Sequence, residues 1–286
     1  MKATVGKAIT YLDGAWIEGN PPILGPMSHA SWLASFVFDG ARAFNGLAPD
    51  LDKHSARCID SAERLGLQPA LNAKEIERLS WEGIRRFPPD AELYVRPMFW
   101  AETGFMIPDP ESTRFALSVY EAKIPSGEPG FSATLSTRRR PLPETAPTDA
   151  KCAALYPNVS RAFREARAKG FDTAVMLDPW GDVAEFANAN LFMVKDGVVH
   201  TPVVNGTFLN GITRQRVIQL LRADGKKVVE RKIKYGELAD ADELFASGNW
   251  AKVQTCARFE DRHFQPGPTF RTARSLYWAF AKGTNA

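Results

Sequence analysis

Nine consecutive residues near the middle of the chain, residues 122–130, concentrate amino acids that interrupt regular structure. They read Ala-Lys-Ile-Pro-Ser-Gly-Glu-Pro-Gly, and proline and glycine at this density break both helices and strands. Segments with helical and with strand-like patterns lie on both sides of this stretch. The sequence therefore predicts an α+β fold with two α/β domains: a smaller one at residues 1–121, a linker at 122–130 and a larger one at 131–286.

The spacing of apolar residues predicts where the helices and strands lie. Apolar residues three and four positions apart indicate helices, and runs rich in β-branched and aromatic residues indicate strands. By this pattern the helices lie at 53–65, 73–87, 158–169 and 213–222, and the longer strands at 92–100, 114–120, 131–137, 173–177, 183–186, 191–194 and 227–233.

Composition restricts the class of protein. Of the 286 residues, 44% are hydrophobic and 24% are charged, with a formal net charge of +3. This content suits a globular core and provides no basic excess for a nucleic-acid partner. No apolar run approaches the roughly 20 residues of a membrane span, and the first residues lack the apolar core of a secretion signal. The three cysteines have no zinc or disulfide spacing. We therefore expect a cytoplasmic protein with reduced thiols, no metal and no membrane partner.

Lys151 and Glu185 are the first candidates for chemistry. Lys151 stands among small and apolar residues, where desolvation disfavours the ammonium, as an imine-forming amine requires. Local sequence alone nevertheless favours a surface lysine beside an apolar helix. Glu185 lies between apolar strands. It is either an outward-facing strand residue or the partner of a buried group, such as a ring nitrogen that must stay protonated.

Three further segments contain residues suited to anions. Residues 209–214 stand where a loop enters a helix, and a helix start binds phosphate, although an ordinary N-cap has the same pattern. Arg57 on a predicted helix provides either a bidentate phosphate contact or a solvated charge. Tyr94 and Arg96 share one side of a predicted strand. Arg96 there indicates either a carboxylate partner or a position at the sheet edge.

The remaining basic residues receive structural interpretations. Arg138, Arg139 and Arg140 form the one dense basic run, and without nearby aromatic residues they indicate a solvated loop. His29 and His200 have no companions at metal-ligand spacing and are interpreted as structural. The sequence also has no Walker motif, no glycine-rich dinucleotide fingerprint and no nucleophile elbow.

The order of the candidate segments is more informative than any one of them. In chain order they are Phe38-Asp-Gly-Ala-Arg42, His54-Ser-Ala-Arg57, Tyr94-Val-Arg96, Lys151 with Tyr156, 185–192, 209–214 and Ser247-Gly248. In this order the chain resembles the class IV, branched-chain-type aminotransferases (fold type IV), which use pyridoxal 5′-phosphate (PLP). That group includes D-amino-acid aminotransferases and aminodeoxychorismate lyases. The resemblance runs from about residue 11 to near the C-terminus and is especially close over 182–221.

The resemblance implies a role for each matching residue. Lys151 would form the internal aldimine and move the proton between the substrate and the cofactor, and Glu185 would keep the pyridine nitrogen protonated. The other implied cofactor contacts are Arg57, Tyr156, Asn190, Leu209, Ile212, Thr213 and Asn249. The implied substrate contacts are Phe38, Gly40, Tyr94, Arg96 and Trp250. The implied partners are an amino acid, an oxo acid and a second copy of the chain, in a homodimer or a higher homo-oligomer.

Three departures from the family pattern leave the preferred substrate open. The usual Gly-Thr-Ala turn reads Gly248-Asn249-Trp250, Leu33 stands where a pocket tyrosine is common, and Ala189 replaces a glutamate. The resemblance predicts transfer of the amino group of an apolar, branched-chain-like α-amino acid to 2-oxoglutarate in a ping-pong cycle.

Other activities of the same scaffold remain as alternatives. They are a D-amino-acid or (R)-amine transaminase, an aminodeoxychorismate lyase, and a PLP-binding protein without catalysis. Arg96 argues against an amine substrate, because an amine has no carboxylate to pair with the guanidinium.

Overall fold

The computed structural model describes residues 6–283 and divides into two compact units, each of which combines helices with a sheet. The described part of the first unit is 6–124 with 149–155, and that of the second is 125–148 with 156–283. The α+β fold class is confirmed, whereas the predicted domain boundaries stay a prediction. The predicted first domain begins with residues 1–5, and the predicted second domain ends with residues 284–286. Both segments lie outside the described residues.

The first unit contains a six-stranded antiparallel sheet with three helices. Its strands are β1 (Ala8–Leu12), β2 (Ala15–Glu18), β3 (Phe36–Phe38), β4 (Ala41–Ala43), β5 (Leu93–Ala101) and β6 (Thr113–Glu121), and its helices are α1 (His29–Leu33), α2 (Leu51–Arg64) and α3 (Ala73–Ile84). The strand order is β2-β1-β6-β5-β3, with β4 also paired to β5. Leu51 of α2 and Leu79 of α3 pack with Val95 and Leu117 of the sheet in one buried core. The apolar face of each helix, visible in the sequence as helical spacing, thus packs on the sheet.

The second unit contains a mixed nine-stranded sheet. Its strands are β7 (Phe131–Arg139), β8 (Thr173–Leu177), β9 (Val183–Phe186), β10 (Asn190–Lys195), β11 (Val198–Pro202), β12 (Val228–Arg231), β13 (Glu243–Gly248), β14 (Lys252–Phe259) and β15 (Arg262–His263), and its helices are α4 (Tyr156–Ala168), α5 (Ile212–Ala223) and α6 (Pro268–Ala281). The strand order is β12-β11-β10-β13-β14-β7-β8-β9, with β15 paired to β14. The pairs β11–β12, β14–β7 and β7–β8 are parallel. The strands therefore bring residues far apart in sequence into neighbouring positions.

Helix α6 was not predicted, and its first turn depends on a residue far away in the sequence. The carboxylate of Glu243, which is 5% exposed, accepts the N–H groups of Thr269 at 2.9 Å and Phe270 at 2.7 Å. These amides have no acceptor within the helix itself, so the carboxylate satisfies them and opposes the positive end of the helix dipole. Neither α6 nor any other helix in residues 6–283 combines the length and apolar character needed to cross a membrane.

Candidate active site

The backbone of Lys151 is fixed by hydrogen bonds on both of its sides. Its N–H donates to Oγ of Ser61 on α2 at 3.0 Å, and its carbonyl accepts the N–H of Phe38 at 3.1 Å. The next residue, Cys152, forms an isolated antiparallel bridge with Val37 of β3. The Nζ atom lies 5.0 Å from the centroid of the Phe38 ring. Lys151 therefore presents its amine from a fixed position beside an aromatic ring, unlike a surface lysine on a helix.

Asp39, which lies in the motif at residues 38–42 but has no role predicted from the sequence, orients Arg57. Its side chain has no exposed surface. Oδ2 accepts from Nε of Arg57 at 2.6 Å, and Oδ1 accepts from Nη2 of Arg57 at 2.9 Å. Nδ1 of His54 lies 2.7 Å from Oδ1. Burial opposes ionisation of Asp39, but Arg57 and His54 outweigh it and hold the pKa of this carboxyl well below its usual range. The two parallel hydrogen bonds give the guanidinium of Arg57 one orientation.

Tyr94 and Arg96 form a cluster with Tyr120 of β6. The two tyrosine rings stack with centroids 5.4 Å apart, and the guanidinium of Arg96 lies 5.2 Å from each centroid. Nη2 of Arg96 donates to the hydroxyl of Tyr120, whereas Nε is buried and has no hydrogen-bond partner among residues 6–283. A Cβ atom at Gly40 would lie 2.2 Å from the Tyr94 hydroxyl, so this placement of Tyr94 requires glycine there. Because a buried N–H needs an acceptor, the cluster is suited to an anion.

Glu185 of β9 is buried beside an arginine that the sequence placed in a solvated loop. Nε of Arg140 lies 3.3 Å from Oε1 of Glu185, with side-chain exposures of 6% and 10%. The prediction of a solvated loop was wrong: Arg138 and Arg139 are exposed but belong to strand β7, and Arg140, which follows them, is buried. The N–H of Arg140 donates to the carbonyl of Leu177 at the end of β8, so pairing with that strand holds Arg140 inside the unit. A cation at this distance stabilises the negative charge of Glu185.

Asn190 connects several segments of the predicted cofactor site in the second unit. Its Nδ2 donates to Oε2 of Glu185 and to the carbonyl of Leu209, both at 3.2 Å. Its register partner on β13 is Ser247. A Cβ atom at Gly211 would lie 2.1 Å from Oδ1 of Asn190, so glycine is required at position 211. The side chain of Asn190 thus joins β9 to the loop before α5, while its backbone pairs with β13.

The start of α5 has the features of an anion site. The helix begins after Gly211, which provides no side-chain cap. Ile212 is 7% and Thr213 is 4% exposed, and amides in a first turn have no acceptor within the helix, so they can bind phosphate. Arg214 is buried and forms an ion pair with Glu230 at 2.9 Å, which holds this turn in place. Both sequence-based alternatives, a phosphate site and an ordinary N-cap, stay predictions, because glycine is itself a common N-cap residue.

The end of β13 and the turn that follows it contain two buried polar atoms that have no hydrogen-bond partner within the described part of the chain. They are Oγ of Ser247 and Nδ2 of Asn249. The side chain of Trp250 in the same turn is 48% exposed. Tyr156, another predicted site residue, is the first residue of α4 and is 37% exposed. Buried donors without an acceptor indicate a place for ligand oxygen atoms.

Comparison with known proteins identifies the family of this chain. The family Amino-transferase class IV matches residues 36–259. A probable branched-chain-amino-acid aminotransferase of Rickettsia conorii is 33% identical over 230 residues, which cover 80% of this chain and 79% of that protein. The branched-chain-amino-acid aminotransferase of Escherichia coli is 31% identical over 256 residues, covering 85% and 82%.

Solved structures with the same fold include aminotransferases. An aminotransferase from Brucella abortus bound to PLP has a TM-score of 0.95 and 49% identity, covering 96% of this chain and 99% of that one. A branched-chain aminotransferase from Thermoproteus uzoniensis with norvaline has a TM-score of 0.89 and 28% identity, covering 98% and 96%. Fold and family together define a PLP-dependent aminotransferase. Within that class the chain belongs to the class IV aminotransferase family, and the family, fold type and cofactor predicted from the sequence are confirmed.

Proposed function

We propose that this enzyme transfers the amino group of an apolar, branched-chain-like α-amino acid to 2-oxoglutarate in a ping-pong cycle, with Lys151 as the catalytic residue. The observation that carries the proposal is the placement of Lys151, whose backbone is fixed to α2 and β3 while Nζ faces the Phe38 ring. Relatives named branched-chain-amino-acid aminotransferases support the substrate class.

The side chains of the second unit fit the chemistry of PLP. When bound, PLP supplies an electron sink for the charge that develops on the substrate carbon. Glu185, paired with Arg140, is suited to hold a proton at the pyridine nitrogen. The uncapped start of α5 is suited to oxyanion oxygen atoms. So is Nδ2 of Asn249, which has no hydrogen-bond partner among residues 6–283. The remaining proposed cofactor contacts are Arg57, Tyr156, Asn190, Leu209, Ile212 and Thr213.

Lys151 would hold the cofactor covalently and then move a proton. Nζ of Lys151 would be the atom that holds PLP, and the same amine would accept the proton of the substrate Cα and donate it again. The fixed backbone gives the root of this side chain one position, which favours proton transfer at nearby atoms.

The Tyr94–Arg96 cluster would receive the substrate carboxylate. Nε of Arg96 is buried and has no acceptor among the described residues, so a carboxylate would satisfy a donor that a simple amine would leave unsatisfied. Phe38, Gly40 and Trp250 would line the side-chain pocket. This arrangement favours an α-amino acid over a primary amine.

A panel of amino donors tests the proposal. The purified enzyme is loaded with PLP and mixed with L-leucine, L-isoleucine, L-valine, L-glutamate, their D-enantiomers and a primary amine, and the absorbance of the bound cofactor is followed. We expect the L-branched-chain residues and L-glutamate to change the spectrum. No response to any L-amino acid contradicts the proposal. A response only to the D-enantiomers or only to the amine indicates one of the alternative transaminases. Pyruvate released from aminodeoxychorismate without an oxo acid indicates a lyase.

Substitution of Lys151 tests the catalytic assignment. Lys151→Ala should abolish turnover and the covalent absorbance band, whereas Lys123→Ala, which removes an exposed lysine from the same unit, should leave both unchanged. Turnover retained in Lys151→Ala would mean that another group carries out the chemistry.

We also propose a cytoplasmic homodimer or higher homo-oligomer. Phe105, Met106 and Ile107 are consecutive apolar residues with exposures of 74%, 71% and 76%, and a contiguous exposed apolar segment is typical of an interaction surface. Three buried cysteines without disulfides are compatible with a reducing compartment. Sedimentation equilibrium tests the assembly, and a monomer at micromolar concentration contradicts it.

A further inference from the structure

A lysine is buried in the turn that contains Asn249. Lys252 is 1% exposed and pairs in register with Gly248, so it closes the turn between β13 and β14. Its φ of +62° lies in the left-handed region, which a residue other than glycine adopts only where its surroundings hold it. Its Nζ donates to Oδ1 of Asn249 at 2.8 Å. Burying an ammonium group costs free energy. This cost indicates that the contact between Lys252 and Asn249 has a function.

The contact determines which way the amide of Asn249 points. An ammonium group has three donors and no acceptor, so the atom facing Nζ must be the carbonyl oxygen Oδ1. The other end, the Nδ2 group, is then directed away from Lys252 with two N–H donors. That Nδ2 atom is buried and has no hydrogen-bond partner among residues 6–283. Without the lysine, the amide could turn over and present its oxygen instead.

A second buried donor lies two residues before Asn249. Ser247 has no exposed surface, and its Oγ likewise has no partner in the described chain. Ser247 is the register partner of Asn190, whose Oδ1 lies against the backbone at Gly211, immediately before α5. Two unsatisfied donors in the neighbourhood of an uncapped helix start indicate an oxyanion as the common acceptor.

We propose that Lys252 is a positioning residue that fixes the amide of Asn249 so that Nδ2 donates to a bound oxyanion, either the cofactor phosphate or the substrate carboxylate. The inference rests on the proposed function, because that function supplies both oxyanions. The cation also polarises the amide: a charge at Oδ1 strengthens the donor at Nδ2, since hydrogen bonds in a chain reinforce one another. The charge of Lys252 thereby strengthens binding of the oxyanion, although Lys252 does not contact it.

The test compares Lys252→Met with a control that removes the same charge at the surface. Lys226→Met serves as the control, because Lys226 is exposed in the same unit. Affinity of the apoenzyme for PLP is measured by fluorescence quenching. A lost hydrogen bond to a charged group corresponds to about a tenfold loss of affinity. We expect that loss for Lys252→Met and less than about a twofold change for the control.

Two ligands distinguish the sources of the oxyanion. If the acceptor is the phosphate, Lys252→Met weakens PLP about tenfold and leaves pyridoxal, which has no phosphate, unchanged. If the acceptor is the carboxylate, PLP affinity is unchanged, and binding of pentanoate to the PLP-loaded enzyme weakens by a similar factor. No effect on either ligand overturns the proposal.

A double-mutant cycle separates positioning from general structural support. In an Asn249→Ala background, Lys252→Met should add less than about a twofold further loss, because no amide remains to be oriented. An equal loss in both backgrounds overturns the proposal. If Lys252→Met does not fold, Asn249→Ala alone must still weaken PLP or pentanoate, and unchanged affinity for both overturns it. A wild-type enzyme that binds PLP but transfers no amino group refutes the proposed function, while the coupling between positions 249 and 252 remains measurable.

Discussion

Replacing Asp39 with asparagine should destabilise the first unit strongly. Asp39 is fully buried and accepts three side-chain hydrogen bonds, one from His54 and two from Arg57, and a fourth from the N–H of Gly40. Asparagine keeps only one acceptor oxygen. Its NH2 group would face the donors of Arg57 or His54 and could not accept their hydrogen bonds. Removing one member of a buried ion pair costs about 3–5 kcal/mol, because the remaining charge is left buried without compensation. We expect a loss of this size in the free energy of unfolding at pH 7.

Asp13→Asn is a matched control for this substitution. Asp13 also accepts two hydrogen bonds from one arginine, Arg114, both at 2.7 Å, but the two side chains are 63% and 41% exposed. Solvent screens this pair, so its removal should cost less than about 1 kcal/mol. Urea unfolding followed by far-UV circular dichroism measures both variants. If Asp39→Asn is no more destabilising than Asp13→Asn, the assigned role of the buried network is wrong.

The pH dependence of the same variant provides a second measurement. The pKa of Asp39 is lowered in the folded chain, because Arg57 and His54 outweigh the effect of burial. Its contribution to stability is therefore complete above the unfolded pKa of about 3.9 and is lost as the pH falls below that value. The difference in the free energy of unfolding between wild type and Asp39→Asn should narrow as the pH falls below about 4. A difference that grows as the pH falls below about 4 would contradict this sign.

Three further substitutions test contacts in both units. Glu243→Gln removes charge from the cap of α6 and should lower stability by about 1–3 kcal/mol; an unchanged melting temperature would show that the cap contributes nothing. Gly40→Ala introduces a Cβ 2.2 Å from the Tyr94 hydroxyl, so KM for the amino acid should rise about 10- to 100-fold, and normal kinetics would exclude Tyr94 from the substrate site. Arg140→Met removes the buried ion pair with Glu185 and should destabilise the apoenzyme by about 3 kcal/mol, as measured by calorimetry. A stability equal to wild type would mean that the pair contributes nothing.

Helices and strands were predictable where apolar spacing is local. The helix predicted at 53–65 is Leu51–Arg64, and the strand predicted at 92–100 is Leu93–Ala101. Helix α6 was missed because its sequence mixes aromatic, β-branched and polar residues, and its first turn is capped by Glu243, 26 residues before Thr269. A cap supplied from another strand leaves no local pattern.

The partners of charged side chains could not be predicted in the same way. The chain has 36 basic and 33 acidic residues, so each cation has many possible partners, and packing alone selects among them. Arg140 illustrates this, because its neighbours in sequence indicated a solvated loop while pairing with β8 places it beside Glu185. The roles of individual site residues remain predictions that the proposed experiments test.

The sequence by itself determined the family, because the order of separated motifs can be seen without knowledge of any contact. It also singled out Lys151 and Glu185. Tertiary structure alone decided which contacts hold the site residues. Ser61 binds the backbone of Lys151 from 90 positions away. Lys252 donates to the side-chain amide of Asn249 because a turn brings the two residues together. Hydrogen bonds depend on distance and direction in space, and spacing in sequence specifies those only within one helix, strand or turn.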